Sequence, residues 1–138
     1  MAREFLDTNI LVYANDDGDT AKQDIALALL ASTAGRQTGA ISTQTLVEYG
    51  AVAWRKLHQP LTVVDEQSAF FARSFEVVPA TPELVRAALA LAAGQPLNYW
   101  DALAVAAAQS AGCALLYSED LNAGQSYAGV LVVNPFRP

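Results

Sequence analysis

The chain has 138 residues, of which 53% are hydrophobic and 16% charged, and it carries a formal net charge of −6. This length and apolar content predict a single domain over residues 1–138 and exclude a disordered chain. The N-terminal residues lack the apolar run of a secretory signal, and no segment has the ~20 apolar residues of a membrane helix, so we expect a cytoplasmic protein without a membrane anchor.

Apolar periodicity and turn residues divide the chain into alternating strands and helices. Helices are predicted to begin where a capping residue precedes an apolar run and to end before glycine or proline. The predicted strands are 3–6, 38–42, 76–79, 113–117 and 130–133. Between them the pattern predicts a helical turn over 10–14, a helix from its cap Thr20 through Ala34, and a helix to about Leu57 that is capped by Ser42 or Thr43. It also predicts helix 62–75, a helix to about Gly94 capped by Thr81, and a helix to Ala111 capped by Asn98. This alternation predicts an α/β domain with a mainly parallel sheet.

Four acids fall where a parallel sheet binds ligands. In open sheets of this class, ligands bind at the carboxyl ends of the strands. Asp7 and Asp120 come just after predicted strands, and Glu48 and Asp101 lie in the first turns of helices that follow short connections. We therefore expect all four carboxylates to converge at one edge of the sheet.

Two of these acids stand alone in apolar helices. Asp101 is the only charged residue between Arg86 and Glu119, and an ionised carboxylate in such surroundings needs a partner or a metal ion. The alternative is helix capping, because Asn98 and Asp101 have the spacing of a capping box. Glu48 has no basic residue one turn away, and its alternative is a place in a solvated stripe.

The other two acids have ordinary alternatives as well. Asp7 has the position of an N-cap for a helical turn that begins at Thr8. Asp120 lies in a polar segment after a strand, which is common in loops. Glu119 is adjacent and competes for any role assigned to Asp120.

Divalent-cation chemistry would unite the four acids. Carboxylate oxygens and water suit hard cations such as Mg²⁺ or Mn²⁺. Hydrolysis of a phosphodiester needs an activated water and neutralisation of developing negative charge, and one or two such cations supply both. Ligands drawn from several elements would appear in a sequence as scattered acids.

Five segments resemble the PIN-domain family and, within it, the VapC-type toxins of bacterial toxin–antitoxin pairs. They are FLDTNIL (5–11), STQTLVE (42–48), YWDALAVAAA (99–108), CALLYSEDL (113–121) and VVNPF (132–136). Each segment alone is a weak signal, but they occur in the family's order and with similar separations. The resemblance spans nearly the whole chain.

The resemblance implies a fold, an activity and roles for individual residues. It implies a three-layer α/β/α domain that cleaves RNA with Mg²⁺ or Mn²⁺, forms homodimers and is inhibited by a cognate antitoxin protein. It assigns the metal-ligand roles to Asp7, Glu48, Asp101 and Asp120, and supporting roles to Asn9 and Ser118. The acidic balance fits RNA binding poorly, because affinity for nucleic acid comes largely from basic groups that contact phosphates.

Two other functions compete with an endoribonuclease toxin. The first is a non-catalytic PIN module that acts through protein contacts, although such a module would be free to lose its acids. The second is a phosphoryl-transfer domain with an aspartate nucleophile after the first strand. That chemistry usually has a second aspartate two residues later and a lysine near the later strands, whereas this chain has Asn9 and no lysine after Lys56.

Overall fold

The computed structural model describes residues 2–137, which form six helices and one six-stranded sheet. The strands are β1 (Arg3–Leu6), β2 (Gly39–Ser42), β3 (Glu76–Val78), β4 (Cys113–Tyr117), β5 (Ser126–Tyr127) and β6 (Val130–Val133). The helices are α1 (Thr8–Ala14), α2 (Thr20–Gly35), α3 (Thr43–Arg55), α4 (Leu61–Ser74), α5 (Pro82–Gly94) and α6 (Tyr99–Ser110). The sequence prediction located every one of these elements except β5, with ends that differ by no more than two residues.

The sheet is mainly parallel, as the alternation of strands and helices predicted. Its strand order is β3-β2-β1-β4-β6-β5, and only β5 is antiparallel to its neighbour. The chain builds outward from β1 through β2 to β3, and then returns to the other side of β1 with β4. The carboxyl ends of β1 and β4 therefore border the crevice where sheets of this class bind ligands.

Helices cover both faces of the sheet, which confirms the three-layer α/β/α arrangement. Phe5 faces a core formed with α5 and α6, whereas the next residue, Leu6, faces a second core formed with α1 to α4. This alternation follows from the two-residue period of a strand. None of the helices in residues 2–137 combines the length and hydrophobicity needed to cross a membrane.

Short polar side chains begin most of the helices, as predicted, but one cap differs. Ser42 caps α3 in a reciprocal capping box with Thr45, and Thr81 and Asn98 cap α5 and α6. Helix α2 is capped by Asp19 instead of Thr20. The Asp19 carboxylate accepts from the backbone N–H of Lys22 at 3.1 Å, so Thr20 is already inside the helix.

The missed strand β5 belongs to a hairpin with an unusual turn. Residues Ala128 and Gly129 connect β5 to β6 with φ values of 51° and 81°. Two positive φ angles are typical of tight hairpin turns, but the first position usually holds asparagine, aspartate or glycine. Alanine there gives no sequence signal, and a two-residue strand is too short to show a period.

Candidate functional site

Strands β1 and β4 end side by side, and a buried hydroxyl joins the residues that follow them. The backbone N–H of Asp7 donates to the carbonyl oxygen of Tyr117 at 3.0 Å. The Ser118 hydroxyl donates to Asp7 Oδ2 at 2.7 Å, and Ser118 Oγ accepts from the backbone N–H of Asp120 at 3.1 Å. Because Ser118 is fully buried, it holds both aspartate-bearing segments in a fixed arrangement at the crevice.

Asp7 combines a structural role with an unusual electrostatic setting. Its Oδ1 accepts from the backbone N–H of Thr8 at 2.8 Å, so the capping alternative is correct for this residue. Burial raises the pKa of Asp7, hydrogen bonds from Ser118 and Thr8 lower it, and repulsion from Asp120 and Glu48 raises it again, to about 6. A residue needed only as a cap would not require two further acids nearby.

Glu48 lies on α3 one turn after a glutamine that contacts it. Gln44 Nε2 donates to Glu48 Oε1 at 2.5 Å and approaches the backbone oxygen of Trp100 at 3.5 Å, which links α3 to the start of α6. Partial burial raises the pKa of Glu48, the bond from Gln44 lowers it, and repulsion from Asp101 and Asp120 raises it. These surroundings differ from those of a solvated stripe.

Asp101 lies in the first turn of α6 and interacts with the cap of its own helix. Asn98 Oδ1 accepts from the backbone N–H of Asp101, and Asn98 Nδ2 donates to Asp101 Oδ2, both at 2.9 Å. The capping-box alternative is therefore only half correct, because the carboxylate meets the Asn98 side chain instead of its backbone N–H. Burial raises the pKa of Asp101, as does repulsion from Asp120, while the bond from Asn98 lowers it.

The two adjacent acids after β4 have different partners. Asn9 Nδ2 donates to Asp120 Oδ2 at 3.2 Å. Glu119 instead pairs with Lys22 and accepts from the Tyr13 hydroxyl at 2.7 Å. Burial raises the pKa of Glu119, but the bonds from Lys22 and Tyr13 lower it further, so its net pKa is below the ordinary value. Asp120 is therefore the acid of this pair that contributes negative charge to the other three.

Repulsion from neighbouring acids links the four carboxylates into one electrostatic group. Asp120 raises the pKa of Asp7, Glu48 and Asp101, Glu48 raises that of Asp7, and Asp101 raises that of Glu48. Among the residues described, no basic side chain is a cause of these three shifts. The structure thus brings the four predicted acids to the same edge of the sheet.

The carboxylates do not, however, form a closed set of ligands. Within residues 2–137, no group of three or more histidine, cysteine, aspartate or glutamate side chains is gathered closely enough to hold a metal ion. Each carboxylate instead contacts a neutral donor, and the four donors are Ser118, Gln44, Asn98 and Asn9. Hydrogen bonds from neutral donors lower the cost of keeping like charges near one another.

The chemistry of the donor set fits a hard divalent cation. Four carboxylates and adjacent amide oxygens are the ligand types that Mg²⁺ and Mn²⁺ accept, and no histidine or cysteine competes for a softer metal. A cation would also neutralise the group's uncompensated charge. The residue types therefore fit such an ion, although the carboxylates would have to move closer together to hold it.

The sequence missed several residues around the site. Gln44 had a local signal, because it lies four residues before Glu48 and so on the same helix face. The pairing of Lys22 with Glu119 had none, since 97 residues separate them. A groove of about 360 Å³ beside the acids is lined by Glu48, Asp120 and one basic residue, Lys56, among others.

Comparisons with known proteins agree with this architecture. Among solved structures, VapC20 of Mycobacterium tuberculosis, described as a toxin that cleaves the sarcin–ricin loop, superimposes with a TM-score of 0.70 and 20% identity, over 85% of this chain and 89% of that chain. A toxin–antitoxin complex from Klebsiella pneumoniae gives 0.66 and 23%, over 96% and 97%. DNA-bound VapBC from Salmonella typhimurium gives 0.67 and 18%, over 96% and 97%. At these identities the likeness shows a shared fold.

Sequence comparison gives the family itself. A search of curated protein sequences found no match. The model of the PIN domain family, in contrast, matches residues 5–126, a range that contains all four acids of the site. The chain belongs to the PIN domain family.

Proposed function

We propose that this protein is a Mg²⁺- or Mn²⁺-dependent endoribonuclease and the toxin of a toxin–antitoxin pair. The observation that carries the proposal is the group of four carboxylates at the crevice of a PIN domain, three of which have raised pKa values. Acids with raised pKa values in a cleft are typical of catalytic sites. Their shared lack of a basic partner favours a cation as the missing positive charge.

Each acid has a proposed role. Asp7, Glu48 and Asp101 would hold the principal cation, and Asp120 would help to hold a second cation or orient water. A bound divalent cation supplies an activated water and neutralises the charge that develops on the phosphate. Asn9 and Ser118 would fix the orientation of Asp120 and Asp7 through the hydrogen bonds that they already donate.

RNA binding must overcome the acidic balance of the chain. Lys56 lines the groove beside Glu48 and Asp120, where its ammonium group could contact a backbone phosphate. Since no other basic residue in the described part of the chain lines this groove, we expect affinity to depend on the cation and on the shape of the substrate more than on general phosphate attraction. This favours a structured RNA substrate.

An apolar groove between α2 and α4 supports the antitoxin partner. The groove has a volume of about 210 Å³ and its lining includes Leu27, Leu30, Phe70 and Phe71. Leu27 and Phe70 remain 48% and 50% exposed. A groove of this kind suits the apolar face of a peptide helix, and solved structures of the same fold include toxin–antitoxin complexes.

A separate exposed apolar surface supports a homodimer. Val47, Ala51 and Trp54 lie on one side of α3 at helical spacing and are all exposed, Trp54 by 51%. Trp100, at the start of α6, is 63% exposed. An exposed apolar stripe along one side of a helix is typical of a surface that contacts another protein. We propose that the protein is a homodimer and that it acts in the cytoplasm. Light scattering should then give the mass of two chains for the protein and a lower mass for Trp54→Lys.

The function is tested by incubating purified, antitoxin-free protein with a mixed cellular RNA pool in Mg²⁺, Mn²⁺ or EDTA. The matched control is Asp101→Asn, which removes one charge but keeps the side-chain shape. Fragments that require a divalent cation and disappear in the variant would support the proposal. Equal cleavage by the variant, or cleavage in EDTA, would contradict it. Absence of both cleavage and Mn²⁺ binding in calorimetry would favour the non-catalytic interaction module.

A further inference from the structure

Lys22 lies at the centre of a polar and aromatic cluster just outside the four acids. Its Nζ pairs with Glu119 and lies 3.2 Å from the Tyr13 hydroxyl oxygen. The same ammonium group lies 4.7 Å from the centre of the Tyr13 ring and 5.6 Å from that of Phe136. We call Tyr13, Lys22, Glu119 and Phe136 the Lys22 cluster. It joins α1, α2, the segment after β4 and the C-terminal segment.

The aromatic part of the cluster is itself well fixed. The rings of Tyr13 and Phe136 meet edge to face with their centres 5.0 Å apart. The backbone N–H of Phe136 donates to Oδ1 of the buried Asn134 at 2.9 Å. An ammonium group within about 6 Å of both ring centres is attracted to both rings by cation–π interactions. Lys22 therefore has a defined position, unlike most surface lysines.

The cluster acts on the segment that carries Asp120. Glu119 and Asp120 are neighbours, and a carboxylate released from Lys22 would lie close to a site that already holds four negative charges. Asn9 joins the two residues, since its Oδ1 accepts from the backbone N–H of Glu119 at 3.4 Å while its Nδ2 donates to the Asp120 carboxylate at 3.2 Å. Asn9 thus connects the backbone of Glu119 to the Asp120 side chain, while Lys22 and Tyr13 hold the Glu119 side chain.

We propose that Lys22 is a positioning residue for Asp120, acting through Glu119 to determine which of the two adjacent acids contributes to the cation site. The inference rests on the proposed function, because it concerns the same cation. Lys22 contacts the carboxylate next to Asp120 and none of the four acids directly. Loss of a residue that orients a metal ligand without contacting the metal typically lowers metal affinity or activity by roughly 10- to 100-fold.

The test measures Mn²⁺ binding by calorimetry, thermal unfolding in EDTA, and RNA cleavage, for the full chain and three variants. Lys22→Met removes the charge and keeps the apolar stem, while Lys22→Arg keeps the charge. Arg86→Met is the matched control, since it removes one exposed positive charge from α5. We expect roughly 10- to 100-fold weaker Mn²⁺ binding and a lower kcat for Lys22→Met, with a nearly unchanged KM for RNA. Lys22→Arg should recover most of the affinity, and Arg86→Met should bind Mn²⁺ as the original chain does.

A double variant tests whether the effect passes through Glu119. Residues that act as one unit give non-additive effects, so adding Glu119→Ala to Lys22→Met should weaken Mn²⁺ binding no further. Additive losses would overturn the inference. So would a Lys22→Met protein with a lower melting temperature but normal Mn²⁺ affinity, or one whose only change is a higher KM. If the unaltered chain binds no Mn²⁺, the proposed function fails first, which distinguishes that outcome from the others.

Discussion

Glu4 within β1 and Asp7 just after it lie three residues apart in opposite electrostatic surroundings. Glu4 is 5% exposed and pairs with Arg36, while the hydroxyls of Thr38 and Tyr117 donate to its carboxylate. Burial raises the pKa of Glu4, but the bonds from Thr38, Arg36 and Tyr117 outweigh burial, so its pKa falls below the ordinary value. The charges of Glu4 and Arg36 thus have their partners within the protein.

Asp7 presents the reverse case at the crevice. Its neighbours supply hydrogen bonds but no cation, and two further acids repel it, so its pKa rises to about 6. A carboxylate is thus stabilising within β1 and costly just after its carboxyl end. An uncompensated group of acids is a cost that folding alone does not explain, whereas a cation-binding function does. The predictions below test this contrast, in order of decreasing effect.

The largest effect should follow from Asp7→Asn. This variant keeps an oxygen to cap α1 but removes the charge of the acid whose pKa is raised to about 6. We expect RNA cleavage to fall by roughly 10²- to 10³-fold, the scale seen when one preorganised electrostatic group is removed from a catalytic site. In EDTA, the free energy of unfolding should be at least that of the unaltered chain, because repulsion is relieved. Cleavage at the full rate would mean that Asp7 is only a helix cap.

Ser118→Ala should weaken the site without removing any acid. The buried hydroxyl holds Asp7 Oδ2 and accepts from the backbone of Asp120, so its loss should lower Mn²⁺ affinity by roughly 10- to 100-fold in calorimetry. Thr33→Val is the matched control, since it removes a fully buried hydroxyl that bonds only to backbone oxygens of α2. That control should lose stability but keep its Mn²⁺ affinity, and equal losses of affinity in both variants would contradict a specific role for Ser118.

The sequence contained local signals for most of the fold and for all four acids. Thr81-Pro82-Glu83 marks a helix start, and Cys113 to Tyr117 forms a strand with the predicted ends. Asp101 was visible because it is the one charge in a long apolar run. These features depend on neighbours within a few residues, which is the range over which capping and periodicity act.

The remaining features depend on contacts that only the folded chain makes. The sequence could not distinguish Glu119 from Asp120, because the distinction comes from Lys22 and Tyr13 on distant helices. Nor could it find the partners of Glu4, since Arg36 and Tyr117 lie 32 and 113 residues away. The proximity of the four acids likewise depends on elements that lie far apart in the sequence.

Glu4→Gln should lower the stability of the fold and leave RNA cleavage nearly unchanged, the reverse of what we expect for Asp7→Asn. Glutamine cannot pair with Arg36, and one acceptor of the hydrogen-bonded group becomes a donor. We expect the free energy of unfolding in urea to fall by about 2 kcal/mol, more than for exposed pairs because Glu4 is buried, although Arg36 is partly exposed. RNA cleavage by the folded variant should stay close to that of the unaltered chain. Glu76→Gln, which breaks the exposed pair with Arg3, is the control and should cost less than about 1 kcal/mol.

The smallest effect should be the change with pH in the contribution of Glu4 to the free energy of unfolding. The pKa of Glu4 in the folded chain lies below its ordinary value of 4.5, so folding favours its ionised form. Its stabilising contribution should therefore be complete above that ordinary value and decline as the pH falls through the lower pKa of the folded state. Urea unfolding between pH 7 and pH 3 should show the difference in free energy between the unaltered chain and Glu4→Gln narrowing at acidic pH. The difference in free energy of unfolding between the unaltered chain and Thr33→Val should stay constant, because a hydroxyl does not titrate in this pH range. A Glu4→Gln difference that stays equally constant would show that Glu4 contributes through packing and neutral hydrogen bonds, and the contrast with Asp7 would then lose its electrostatic basis.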